Sequence, residues 1–223
     1  MTIEEYKTIF VHIPKNAGSS IENYFAKGNL KLTRQIGKHS SIYEIKKKFP
    51  DLYNSYRKFA VVRNPYDRML SWFFFLKKWA FCHRTHYRKK WLPESGDYII
   101  EFNKWIKNPS NFQRAIYRLI KKNVTMINKM QGYWFDDVVD EFYLGDPANF
   151  LNSQHTWIDN TVTVIKYEKL NSELNDFFGE EINLPMINKS DYDHSLNYYN
   201  EESLDIVYEK YKEDFEKFNY EKL

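Results

Sequence analysis

Apolar residues along this chain fall first in short runs and then in spaced stripes. Residues 7–13 (KTIFVHI) and 58–63 (KFAVVR) are runs rich in β-branched and aromatic side chains, which predicts buried strands. Between them the spacing changes to three and four. In 18–28, Ile21, Tyr24 and Phe25 share one helical face and Gly28 stands where a helix stops. In 40–49, Ile42, Ile45 and Phe49 repeat at helical spacing, with Pro50 expected to end the helix. Residues 64–79 open with Asn64, Pro65 and Asp67, which suit the N-cap, first and third helical positions. Alternation predicts a strand over 30–36, and 161–168 reads as another, followed by a helix to about Phe178. The basic, aromatic stretch 80–135 is harder to divide; helices are expected near 97–107 and 110–121. Residues 184–195 read as a loop. The last segment, 200–218, is an amphipathic helix with Leu204, Val207, Tyr208, Tyr211, Phe215 and Phe218 on one stripe. Strand–helix alternation through the first 80 residues predicts an α/β fold. The expectation is a single domain over 1–223 with a central, mostly parallel sheet flanked by helices.

Composition narrows the class. A chain of 223 residues with 43% hydrophobic and 18% aromatic content builds a full core and is not a disordered chain. Its one cysteine, Cys82, excludes an intrachain disulfide and makes a reducing compartment the simpler expectation. The first ten residues lack the charged-then-apolar pattern of a signal peptide, and no apolar run approaches the roughly 20 residues of a membrane helix. Net charge is +3, but it is unevenly placed. Residues 1–135 hold 26 Lys/Arg against 9 Asp/Glu, whereas residues 136–223 hold 7 against 21. Either the first part meets anions, or the acidic part packs against it.

The stretch HIPKNAGSS (12–20) concentrates the candidate chemistry. A strand that turns tightly into a helix presents backbone N–H groups without internal partners at the positive end of the helix dipole. Ala17, Gly18, Ser19 and Ser20 are small enough for an anion to approach, and Lys15 supplies a cation. The order is not that of a Walker A loop, because Lys15 precedes Gly18. An ordinary βα turn with a solvated lysine is the competing reading. A second strand end, VVRNPYDRMLS (61–71), carries Arg63, and Ser71 lies about two turns into the helix on the side of its start. An arginine fork and a hydroxyl suit a second phosphate; a carboxylate partner for Arg63 is the alternative.

HIPKNAGSSI together with FAVVRNPYDRMLSWF resembles the PAPS-dependent sulfotransferases, in particular the carbohydrate sulfotransferase branch, which has a P-loop-NTPase-like fold. The resemblance continues more weakly through QHTWI (154–158), VIKYEKL (164–170) and LPMINKS (184–190). It implies that Lys15, Asn16, Ala17, Gly18, Ser19 and Ser20 hold the 5′-phosphosulfate of 3′-phosphoadenosine 5′-phosphosulfate (PAPS), with PAP as product. Arg63 and Ser71 would hold the 3′-phosphate, and Lys189 and Ser190 would close over the nucleotide from a late loop. The activity implied is sulfuryl transfer to a hydroxyl, on a carbohydrate, with no metal. Lys15 is then the candidate for stabilising the leaving group. His39, after the strand predicted at 30–36, matches the family's His-type base; helix capping or acceptor binding are its alternatives, and Glu44 is a weaker base. His12 reads as a packed histidine. The segment 77–91, with His83 and Arg84, would grip an anionic sugar or else form a solvated basic face. Gln154 and His155 are candidates for the acceptor side. The expected partners are the acceptor and neither nucleic acid nor a membrane anchor, in a soluble cytoplasmic protein from a bacterium or virus; a lumenal or secreted location is the weaker alternative. Two other classes compete: a P-loop-type nucleotide kinase, and a non-catalytic polyanion-binding module.

Overall fold

The structure is a computed structural model, and it describes residues 1–27, 32–33, 36–82, 97–110, 149, 151–185, 187 and 195–223. The strands are β1 (Thr2–Ile3), β2 (Thr8–Val11), β3 (Leu32–Thr33), β4 (Arg57–Val62) and β5 (Thr163–Lys166). The α-helices among these residues are α1 (Gly18–Lys27), α2 (Ile42–Lys48), α3 (Pro50–Ser55), α4 (Pro65–Cys82), α5 (Tyr98–Trp105), α6 (Leu170–Phe178) and α7 (Glu201–Phe218). The strands form one sheet in the order β3-β1-β2-β4-β5. β2 pairs parallel with β4, and β4 with β5, whereas β1 runs antiparallel to both of its neighbours. Four strands therefore point one way, which is the mostly parallel α/β sheet expected from the sequence. The helix expected at 110–121 lies outside the described residues.

The chain divides into two compact units. The first comprises Met1–Asn64, Ser153–Lys189 and Glu213–Glu221 and contains the whole sheet. Strands β2 and β4 are covered on both faces, which explains their unbroken apolar runs. Phe10 and Phe59 stack at 4.9 Å, and Ile21, Phe25, Ile165, Leu174 and Ile182 complete the core around them. Burying each such side chain stabilises the fold by about 1.5–3 kcal/mol. Pro50 does not simply end α2: Phe49 closes it, and Pro50 then occupies the first turn of α3, where its missing N–H costs nothing. Ser41 and Glu44 form a reciprocal capping box at the start of α2.

The second unit comprises Pro65–Asn152, Ser190–Lys212 and Lys222–Leu223. Here Phe73 packs on Phe102 and Trp105, and Tyr199 meets Phe102 and Tyr66 edge-on. Arg68, 1% exposed, donates to the Asn152 carbonyl at 3.0 Å. The backbone of α7 leaves helical geometry at Tyr211, whose hydroxyl donates to the Leu151 carbonyl. Among the described residues no helix is long and apolar enough to cross a membrane.

Candidate active site

Three parallel strands deliver the candidate residues to one edge of the sheet. β2 ends at Val11 and leads into 12–17; β4 ends at Val62 and leads into Arg63; β5 ends at Lys166 and leads into Tyr167. The carboxyl ends of adjacent parallel strands are where α/β sheets bind ligands.

The turn after β2 has the backbone of an anion cradle. Lys15 (φ 72°) and Ala17 (φ 60°) both adopt left-handed conformations, and residues alternating in this way aim successive N–H groups into one concavity. The Ala17 carbonyl accepts from Ser20 N at 3.0 Å and Ile21 N at 3.2 Å, so α1 starts at Gly18. The N–H groups of Gly18 and Ser19, first in the helix, have no intrahelical acceptor. Gly18 is required for a further reason. A Cβ built there would lie 1.8 Å from Nε2 of His12, because the His12 ring occupies that space. Ser20 Oγ accepts from Ile187 N at 3.3 Å, which brings the late segment to the same helix start. Lys189 and Ser190 themselves lie outside the described residues, as do His83 and Arg84.

Behind this turn sits a histidine pair. His39 Nδ1 lies 2.9 Å from the His12 carbonyl oxygen. A carbonyl only accepts, so Nδ1 carries the proton and the basic lone pair of neutral His39 is on Nε2. The two rings are 4.2 Å apart. His12, 5% exposed, donates from Nδ1 to Glu22 Oε1 at 3.0 Å, and Lys38 Nζ holds the other Glu22 oxygen at 3.1 Å. Burial, reinforced by His12, pushes His39 well below the ordinary histidine value of 6.5. Burial also lowers His12. For Glu22, burial works upward, but the His12 hydrogen bond and Lys38 outweigh it and hold the carboxyl at about 2.

These directions fix a pH dependence. Below 6.5 the unfolded chain takes up protons that the folded His12 and His39 refuse, so stability decreases as pH is lowered. Glu22 contributes the same sign lower down, as pH drops through 4.5 towards about 2. The melting temperature is therefore expected to fall between neutrality and about pH 5. A flat or rising profile over that range would contradict the buried neutral pair.

Arg63 stands beside the same turn. It is 9% exposed, its guanidinium lies 4.1 Å from the Tyr167 ring centroid, and Nη1 is 3.5 Å from the Lys15 carbonyl. The aromatic face fixes the plane of the fork. Its backbone is held by Gln154: Arg63 N donates to Oε1 at 2.9 Å, and Nε2 donates to the Arg63 carbonyl at 2.8 Å. Asn16 Nδ2 donates to the same Oε1 and to the Val61 carbonyl, each at 2.7 Å. Glu168, one residue beyond Tyr167, accepts from Asn64 N and the Tyr220 hydroxyl, each at 2.9 Å; burial and that carboxylate push the Tyr220 hydroxyl up.

The structure places the remaining candidates as follows. Gln154 has no exposed surface, and its amide bonds to Arg63 and Asn16. His155 faces carboxylates at both ring nitrogens, Asp214 at 2.9 Å and Glu213 at 3.0 Å. The Asn16 side chain is buried, with Nδ2 donating to the Val61 carbonyl and to Gln154. Glu44 is engaged in its capping box with Ser41. Ser71 is buried in the second turn of α4, within the second unit. Glu22 and Tyr167 were not anticipated. Glu22 had one local pointer, its place one turn after Gly18 on a helix whose start carries the chemistry. Among the described residues no group of three or more His, Cys, Asp or Glu could hold a metal.

The model of the Sulfotransferase family matches residues 1–221 of the chain. No curated protein and no solved structure matches it.

Proposed function

Because the chain belongs to the sulfotransferase family, whose donor is PAPS, we propose that it moves a sulfuryl group to a carbohydrate hydroxyl with His39 as general base. The observation that carries the base assignment is the hydrogen bond from His39 Nδ1 to the His12 carbonyl, which leaves Nε2 as the proton acceptor at the edge where the donor turn begins. His39, held neutral at pH 7, needs no prior deprotonation. In the transfer, the acceptor oxygen forms a bond to sulfur, the bond from sulfur to the phosphate oxygen breaks, and the acceptor proton passes to Nε2. Lys15 and the first N–H groups of α1 stabilise the charge that builds on the departing phosphate. Arg63 holds the 3′-phosphate, its fork planted on Tyr167. The resemblance read from the sequence adds Ser71, Lys189 and Ser190 to the nucleotide contacts and favours a sugar as acceptor.

Isothermal titration with PAP tests the nucleotide assignment. Arg63→Ala is expected to weaken binding by about 10–100-fold, the loss of a charge-assisted contact worth about 1.5–3 kcal/mol. Failure of the wild-type protein to bind PAP, or binding unchanged in Arg63→Ala, would reject it. Transfer from radiolabelled PAPS across a panel of oligosaccharides, lipids and phenols tests the acceptor class; transfer to phenols alone would reject the sugar.

A further inference from the structure

The Glu22 side chain sits at the root of the histidine pair. Its Oε1 accepts from His12 Nδ1 at 3.0 Å, and its Oε2 takes the Lys38 ammonium at 3.1 Å. The His12 ring thereby fixed fills the space beside Gly18, where even a Cβ would come within 1.8 Å. It lies against His39 at 4.2 Å, and the His12 carbonyl receives the His39 Nδ1 proton. One imidazole thus touches both the donor turn and the base, and one carboxylate fixes that imidazole.

We propose that Glu22 is a positioning residue for the transfer reaction: through His12 it fixes the His39 ring against the donor turn, and together with Lys38 it sets the charge that ring experiences. This rests on the reading of His39 as the base. The charged and titratable groups acting on His39 are His12 from the end of β2, Glu22 from α1 and Lys38 from its own turn. His12 also feels the N-terminal ammonium, which donates to the Phe10 carbonyl at 3.0 Å. Glu22 favours a protonated His39, and Lys38 opposes it. The relay therefore has a signature that simple packing lacks, since neutralising its two charges moves the base in opposite directions.

The test is an NMR titration of the full chain carrying isotope-labelled histidine, with His39→Gln assigning the His39 resonance. No acceptor is needed. In Glu22→Gln, which keeps an oxygen facing His12, the His39 midpoint is expected to fall by about 0.5 unit or more; in Lys38→Met it is expected to rise by a similar amount. Lys38 is 23% exposed, so its variant keeps the test available should Glu22→Gln fail to fold. Midpoints that stay at the wild-type value, or that move the same way in both variants, overturn the inference. Retention of sulfuryl transfer by His39→Ala would instead reject the base assignment, and the titration result would stand apart from it.

Discussion

His39→Ala is expected to lower sulfuryl transfer by about a hundredfold to ten-thousandfold, the range that a positioned general base supplies. PAP affinity should stay within a few-fold of wild type, because the contacts proposed for the nucleotide come from Lys15, the start of α1 and Arg63. That separation between turnover and binding is the point of the experiment. The wild-type pH profile adds a second reading. His39 is neutral well below its ordinary value of 6.5, so kcat/KM should hold as pH drops through 6.5 and decline only further down, as Nε2 becomes protonated. Transfer assays on whichever acceptor the panel identifies measure both quantities. Full turnover in the variant, or an acid limb above 6.5, would remove His39 from the chemistry.

Gly18→Ala should damage the fold and the site together. The added methyl has no space: it would meet His12 Nε2 at 1.8 Å, and Cδ2 and Cε1 at 2.2 Å. The imidazole cannot simply swing aside. Phe10 stacks on it at 5.4 Å, His39 lies at 4.2 Å, and Glu22 holds Nδ1. Overpacking of this kind costs about 1–3 kcal/mol, which in a chain of this size corresponds to a melting point lower by about 2–12 °C. The displaced ring also carries His39 and the donor turn with it, so PAP affinity and transfer should both fall by more than tenfold. Scanning calorimetry and PAP titration on the same preparation check this. An unshifted melting point with normal PAP binding would show that the ring has room.

Much of this architecture was legible because its causes are local. The runs 7–13 and 58–63 became β2 and β4, and the small residues after Pro14 became a turn entering α1, since chain direction and sterics act over a few residues. The two-residue strand β3 falls inside the strand expected over 30–36, whereas β1 exists only through partners elsewhere in the sheet, and nothing within Thr2–Ile3 marks it. Pro50 illustrates a different limit, for proline suits the first turn of one helix as well as the end of another. The site divides in the same way. Arg63 and the donor turn follow from strand–helix grammar. Gln154 and His155 did not, because a polar side chain that braces the interior and one that grips a ligand look alike until their partners, 91 and 59 residues away, are in place. Gly18 was marked as small enough for an anion to approach, and the space a Cβ would take there is filled by the His12 ring, a neighbour in the fold that its own residue type does not announce.

The side-chain amide of Gln154 joins the Asn16 side chain to both backbone groups of Arg63, and the Gln154 backbone N–H donates to Asp214 at 2.7 Å. The turns after β2 and β4 are both synthesised early, yet the side chain that joins them arrives only in the last third of the chain. A nascent or proteolytically shortened polypeptide ending before residue 154 would carry both of these turns and lack the amide that joins them.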